Sequence, residues 1–91
     1  MNKTLHIKIS GHVQGVGFRY NTQKLAGQLN LVGWVRNTQN GEVEILAQGE
    51  ENSLIKLLDE CQTSPSSAKV DKVEHEWINN QSNLKTFEIK D

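Results

Sequence analysis

Gly11-His12-Val13-Gln14-Gly15-Val16-Gly17-Phe18-Arg19 crowds three glycines into nine residues, between a stretch of period two and a stretch of helical period. Upstream, Leu5, Ile7 and Ile9 alternate with His6, Lys8 and Ser10, the pattern of a strand with one buried face. Downstream, Thr22, Leu25, Ala26 and Leu29 stand at i, i+3, i+4 and i+7, one face of an amphipathic helix that starts near Arg19. Asn30 suits a left-handed exit from that helix. Glycines at 11, 15 and 17 let the backbone take positive φ and bring its N–H groups close to a ligand. The helix start adds unpaired N–H groups and the positive end of a dipole, and Arg19 adds a planar fork that matches phosphate oxygens. The stretch reads as an anion cradle, the alternative being a plain glycine turn with Arg19 as a surface cation. It fits neither G-x-x-x-x-G-K-[ST] nor G-x-G-x-x-G, so neither a P-loop nucleotidase nor a dinucleotide fold is indicated.

Further along, a strand over about Val32 to Thr38 faces another over Glu42 to Gln48 across a turn containing Asn40-Gly41. A two-residue loop would put Val35 and Asn37 on one face with Glu44 and Leu46. A three-residue loop, Gln39 to Gly41 with Gly41 left-handed, groups Val35 with Val43, Ile45 and Ala47, and apolar parity selects it. Asn37 then becomes the polar residue on an inner face, where an uncompensated amide costs about 1 to 3 kcal/mol and calls for a ligand or water as partner. Trp34 and Arg36 fall on the opposite face and can stack on one another.

Gly49 closes this strand, and Glu50 and Glu51 place negative charge at the start of a second helix. Leu54, Leu57, Leu58 and Cys61 give that helix its core face, with Cys61 a buried small hydrophobe. Thr63 to Ser67, with Pro65, reads as a loop. Val73, His75 and Trp77 share one parity, Asn79 to Asn83 is a polar connection, and Leu84 to Lys90 is a final strand with Phe87 and Ile89 on one face. The order is βαββαβ with a short extra strand, which favours an antiparallel sheet covered on one side by two helices.

GHVQGVGFR, followed by Gly33-Trp34-Val35-Arg36-Asn37 and Gly41-Glu42-Val43-Glu44, resembles the acylphosphatase family, and the resemblance extends over nearly the whole chain. It implies a ferredoxin-like α+β sandwich with the first strand beside the third, and residues 1–91 as one acylphosphatase-like domain. It implies hydrolysis of the carboxyl–phosphate bond of small acyl phosphates to a carboxylate and inorganic phosphate. By the same resemblance, Arg19 and the backbone N–H groups of Gln14, Gly15, Val16, Gly17 and Phe18 hold the phosphate, and Asn37 positions the attacking water, making Arg19 and Asn37 the catalytic pair. Asn21, and Ser66-Ser67, depart from what the family commonly shows.

The chemistry is consistent with that economy. A carboxylate is a good leaving group, so no general acid is needed, and a loose transition state chiefly requires the phosphate held, its charge neutralised and a water aligned. Whether a base comes from the substrate's own phosphate oxygen is left open by the residues. Phe18 and Tyr20, flanking Arg19, are expected to anchor the loop by packing. Glu42 with Glu44, and Glu74 with Glu76, are i, i+2 pairs expected at a solvated sheet edge rather than as a paired acid and base. His12 is expected in solvent and His6 and His75 in strands, with no spacing that suits a metal, so no metal and no cofactor is expected.

Ninety-one residues, ten basic against eleven acidic, with a net charge of -1, give no field for collecting nucleic acid or coating an anionic membrane, so anion binding has to be local. No signal peptide or membrane span is evident, and one cysteine fits a reducing cytoplasm. The expected protein is a cytoplasmic monomer acting on a small acyl phosphate, with neither nucleic acid nor membrane as partner. A non-catalytic acyl phosphate or carbamoyl phosphate binding module is the alternative. An RNA-binding sheet of the same element order is disfavoured, because Leu5 to Ile9 and Val43 to Ala47 carry no aromatic residue on which bases could stack.

Overall fold

The computed structural model describes residues 2–63, 69–79 and 84–90. The elements run β1 (Asn2–His12), α1 (Phe18–Gln28), β2 (Val32–Asn37), β3 (Val43–Glu50), α2 (Glu51–Thr63), β4 (Lys69–Ile78) and β5 (Phe87–Lys90), the βαββαβ order with an added strand. The sequence loop over 63–67, with Ser66-Ser67, and the connection over 79–83 lie largely outside the described residues.

One sheet holds all five strands in the order β4-β1-β3-β2-β5, so the first strand does lie beside the third. Its four-strand body is antiparallel throughout. The antiparallel sheet expected from the element order is this body, and the extra C-terminal strand β5 pairs parallel with β2 and makes the whole sheet mixed. The reason is directional. β4 runs against β1 and hence against β2, and β5 returns from β4 to the opposite edge of the sheet, so it arrives running the same way as β2.

The core follows from strand parity. Leu5, Ile7 and Ile9 are fully buried, and Val35, Val43, Ile45 and Ala47 face the same side, under Leu54, Leu57 and Cys61 of α2 and Ala26 of α1. Thr22, the polar member of the α1 inner face, is satisfied internally, its hydroxyl donating to the Phe18 carbonyl at 2.8 Å. Helix α1 leaves through Asn30 at φ 59, with the Leu31 N–H on the Ala26 carbonyl and the Asn30 N–H on that of Gly27, the paired bonds of a left-handed helix exit. The hairpin takes the three-residue turn. Asn37 pairs with Val43, the Thr38 N–H donates to the Glu42 carbonyl, and Gly41 sits at φ 85. Cys61 is buried as expected, and desolvation with the nearby Glu60 charge pushes its thiol up to about 12, which keeps it protonated and unreactive.

On the opposite face of the sheet, His6, Leu46 and Trp34 lie in one cross-strand row, and Leu46 is buried between its two larger neighbours. The Arg36 guanidinium lies over the Trp34 ring at 5.6 Å, as its parity suggests, and the Lys90 ammonium lies over it at 5.3 Å. Glu42 and Glu44 are not at a solvated edge, because β3 is the central strand: Glu42, just before it, meets a donor from β1, and Glu44, within it, meets donors from β1 and β2. Glu42 accepts from Ser10 Oγ at 2.7 Å, and Glu44 pairs with His6 Nε2 and Arg36 Nη2, each at 2.6 Å. Glu74 and Glu76, on edge strand β4, are exposed as expected.

Burial would raise the Glu44 pKa, but hydrogen bonds from His6 and Arg36, together with the Arg36 and His6 charges, outweigh it and hold the carboxyl below its ordinary 4.5. A depressed folded value means stability present above the ordinary carboxyl pKa and lost as pH falls through the folded one. Urea titrations of wild type and Glu44→Gln should therefore show wild type more stable at neutral pH, with the gap shrinking below about pH 4.5. A gap independent of pH would show that the carboxylate charge contributes nothing.

Candidate active site

The cradle begins where β1 ends. At Ser10–Gly11 the pairing with β4 shifts register, and Gly11, at φ 129, passes so close to β4 that a Cβ there would lie 2.1 Å from the Lys69 carbonyl oxygen. Only glycine fits this approach, and it re-aims the chain into the loop. Val13 and Phe18 are buried at its two ends and Val16 packs against the core between them, so apolar side chains pin the segment that the glycines shape. Gly17 is the N-cap of α1, at φ 79. It offers no side chain to the helix start, and the first turn carries no acidic residue, so nothing in the helix's own sequence neutralises its positive end.

Gln14 turns its side chain away from the cradle. Its Nε2 donates to the Thr38 and Glu42 carbonyls, each at 2.8 Å, the two residues that close the β2–β3 hairpin. One amide thus ties the loop to the end of the strand that carries Asn37. Arg19, on the first turn of α1, donates from Nη1 towards the Lys90 carbonyl at 3.4 Å, and Gln23, one turn later, donates to the Phe87 carbonyl at 3.1 Å, so the same helix face is laid along β5.

Loop, helix start and hairpin enclose a cleft of about 160 Å³ lined by Val13, Gly15, Gly17, Phe18, Arg19, Tyr20, Asn37 and Ile89. Of the residues expected at the site, Gly15, Gly17, Phe18, Arg19 and Asn37 come together here. Gln14 and Val16 direct their side chains elsewhere, so a contribution from either would come through its backbone N–H. Asn37 sits on the inner face as its parity requires, and its Oδ1 is buried with no hydrogen-bond partner among the described residues. That is the uncompensated amide the hairpin register predicts.

Three cleft residues were not anticipated: Val13, Tyr20 and Ile89. Tyr20 does not anchor the loop; it is 64% exposed, whereas Phe18 is 3% exposed and does. A helix turns residues 18 and 20 about 200° apart, so only one of them can face the core. Ile89 arrives through the parallel pairing of β5, for which no local sequence signal exists. A larger cavity of about 220 Å³ lies between the helices, walled by residues such as Leu25, Leu57 and Cys61, but the only charged residue among its described lining is Glu60, which suits no anion. Among the described residues there is no group of three or more His, Cys, Asp or Glu side chains placed to hold a metal, and no helix is long and apolar enough to cross a membrane.

Fold and cleft together define a small ferredoxin-like α+β protein with a glycine-lined cleft at the start of its first helix. The family model for acylphosphatases matches residues 5–89. An acylphosphatase of Caldanaerobacter subterraneus subsp. tengcongensis is 40% identical over 89 residues, 98% of this chain and 99% of its own. The crystal structure of the Bacillus subtilis acylphosphatase superimposes with a TM-score of 0.92 at 36% identity, covering 99% of both chains. Full-length HypF, in a phosphate- and nucleotide-bound form, matches with a TM-score of 0.92 at 30% identity over 100% of this chain and 12% of its own. The chain belongs to the acylphosphatase family, a family of enzymes.

The bracing by Gln14 is directly testable. Gln14→Ala removes two hydrogen bonds and should cost about 1 to 3 kcal/mol in denaturant titrations, while weakening inorganic phosphate affinity because the loop is no longer held. Gln14→Glu should be worse at neutral pH, where a carboxylate faces two carbonyls, and should recover as pH falls and the protonated acid can donate once. A Gln14→Glu protein indifferent to pH would show that these bonds do not hold the loop.

Proposed function

We propose that this chain hydrolyses the carboxyl–phosphate bond of small acyl phosphates with Arg19 and Asn37 as its catalytic residues. The observation that carries the reading is the buried Oδ1 of Asn37, without a partner among the described residues, in the wall of the cleft that also holds Arg19 and the glycine loop. The Arg19 guanidinium and the backbone N–H groups of 14–18 bind the phosphate oxygens, and the dipole of α1 adds to the neutralisation. Asn37 accepts from a water through Oδ1 and donates through Nδ2 to a phosphoryl oxygen, which fixes the nucleophile opposite the departing carboxylate. The water attacks phosphorus, the P–O bond to the acyl carbon's oxygen breaks, and the carboxylate leaves with the bonding pair. It needs no proton from the protein, and the water's proton passes to a phosphate oxygen. Among the described residues lining the cleft, Arg19 alone has a charged side chain, which fits a reaction without metal or general acid.

A non-catalytic acyl phosphate or carbamoyl phosphate binding module is the second reading, favoured by the match to a segment that is only 12% of HypF. Phosphate release from benzoyl phosphate by pure protein in excess EDTA separates the two: a binding module retains the ligand without turnover, and a metal-dependent enzyme loses activity. The reading places the reaction in the cytoplasm, which the buried, protonated Cys61 suits.

Arg19→Ala should severely weaken both substrate binding and inhibition by inorganic phosphate in a folded protein. Arg19→Lys should restore little, since an ammonium cannot form two parallel bonds. Equal phosphate affinity in wild type and Arg19→Ala would remove Arg19 from the cradle.

Asn37→Ala should lower the turnover number by at least about 10²-fold while changing inorganic phosphate affinity little, the pattern of an interaction made chiefly in the transition state. Asn37→Asp should fail too, because it sets a carboxylate beside an anionic substrate. Denaturant titrations should find Asn37→Ala neutral or mildly stabilising, since a buried acceptor without a partner is removed. Wild-type turnover in Asn37→Ala would leave Asn37 a structural residue.

A further inference from the structure

The cleft has an apolar side that phosphate binding does not use. Four large hydrophobic residues are exposed among those described, and two of them, Tyr20 at 64% and Ile89 at 38%, line this one cleft from different elements, α1 and β5. Isolated exposed hydrophobics need no explanation, but two converging on one concavity mark a contact surface. Ile89 is in register with the fully buried Val35 on the inner face of the sheet, and Phe87, two residues earlier on the same face, is buried. Ile89 is thus the point at which the core face of β5 opens into the cleft.

The charges point the same way. Arg19 is the only charged residue among the described residues lining the cleft. Lys90, next to Ile89, could have supplied a second cation, but its ammonium lies 5.3 Å from the Trp34 ring centroid on the opposite sheet face. With Arg19 engaged by the phosphate, an anionic group on the acyl moiety meets no second cation, and a cationic group no carboxylate, among the described residues lining the cleft. An uncharged apolar group meets the Tyr20 ring and the Ile89 side chain.

We infer that Tyr20 and Ile89 form the acyl-group subsite and select acyl phosphates whose acyl moiety is uncharged and apolar, aromatic or aliphatic, over those bearing a second anion. The inference rests on the acyl phosphate reading above and adds the class of acyl group. The acyl chain leaves the cradle along the first turn of α1, over Tyr20, while the phosphate stays on the loop and Arg19.

Binding of phosphonates tests the subsite without requiring turnover. Calorimetry with wild type should find benzylphosphonate bound about tenfold more tightly than methylphosphonate, within the range that a small apolar contact supplies, and 3-phosphonopropionate bound no more tightly than methylphosphonate. Tyr20→Ala should erase the preference for the benzyl group while inorganic phosphate affinity changes by less than about twofold, and Tyr20→Lys should shift the preference to 3-phosphonopropionate. Since Tyr20 is exposed, both variants should fold as wild type does. Turnover of benzoyl, acetyl and succinyl phosphate, compared as kcat/KM, should follow the same ranking. Equal affinity for the benzyl and carboxyethyl ligands in wild type, or a Tyr20→Ala protein that loses all ligands in equal proportion, would overturn the subsite. Selective phosphonate binding with no turnover of any acyl phosphate would sustain the subsite and overturn the hydrolase reading instead.

Discussion

The register of the β2–β3 hairpin is the constraint on which the rest depends. Three residues in the turn, with Gly41 left-handed, set Asn37 against Val43 and Val35 against Ile45. A slip of one residue would turn every side chain of one strand to the other face, exposing Val35 and bringing Arg36 under the helices. The same register fixes where the Thr38 and Glu42 carbonyls lie, and Gln14 reaches both. The position of the cradle relative to Asn37 is therefore set by a backbone turn, and a single side-chain amide transmits it to the loop.

The sheet also sorts the charges. Arg36 and Lys90 could each have competed with Arg19 for an anion, but parity puts both on the helix-free face, where Trp34 and, for Arg36, the Glu44 carboxylate hold them. Inside, Arg19 is the only charged residue among the described cleft lining. A chain with a net charge of -1 has no long-range attraction for a phosphate, so its affinity has to come from short-range devices. A guanidinium, a helix start without an acidic neighbour and a loop that lets the backbone approach closely are such devices. Each acts over a few ångströms, and they share one cleft.

What was legible in the sequence was what local rules govern. Strand alternation at Leu5 to Ile9, the helix face of Thr22 to Leu29, the left-handed Asn30 and Gly41, and the inward Asn37 all follow from parity and turn chemistry within a few residues. The left-handed glycine loop was legible in the same way, from glycines between two periodicities. The departures, Tyr20 apart, are non-local. The parallel placement of β5, and with it Ile89 in the cleft, depends on a pairing between segments some fifty residues apart that no periodicity encodes. The Gln14 bonds span 24 and 28 residues. The pairing of Glu44 is invisible to local rules because its partners belong to β1 and β2, and adjacency to a buried Phe18 says nothing about which of two helix faces Tyr20 takes.

Places where polar groups lack partners coincide with the place assigned to chemistry. Other buried or half-buried polar groups among the described residues find partners: Thr22 with the Phe18 carbonyl, Thr4 with Gln48, His6 with Glu44. The exception among the described buried side chains is Asn37 Oδ1, and it shares a cleft with Gly17, the cap residue that gives its helix no capping side chain. Leaving a buried acceptor unpaired costs about 1 to 3 kcal/mol, a large share of the 5 to 15 kcal/mol by which a typical domain is stable. An apolar residue at 37 would continue the Val35 face without that cost, whereas at 17 the left-handed φ of 79 calls for glycine, which leaves the helix start without a capping side chain. Both positions leave hydrogen-bonding capacity directed at one small volume. A volume that presents an acceptor on one wall and N–H donors on the other suits a ligand that donates on one side and accepts on the other.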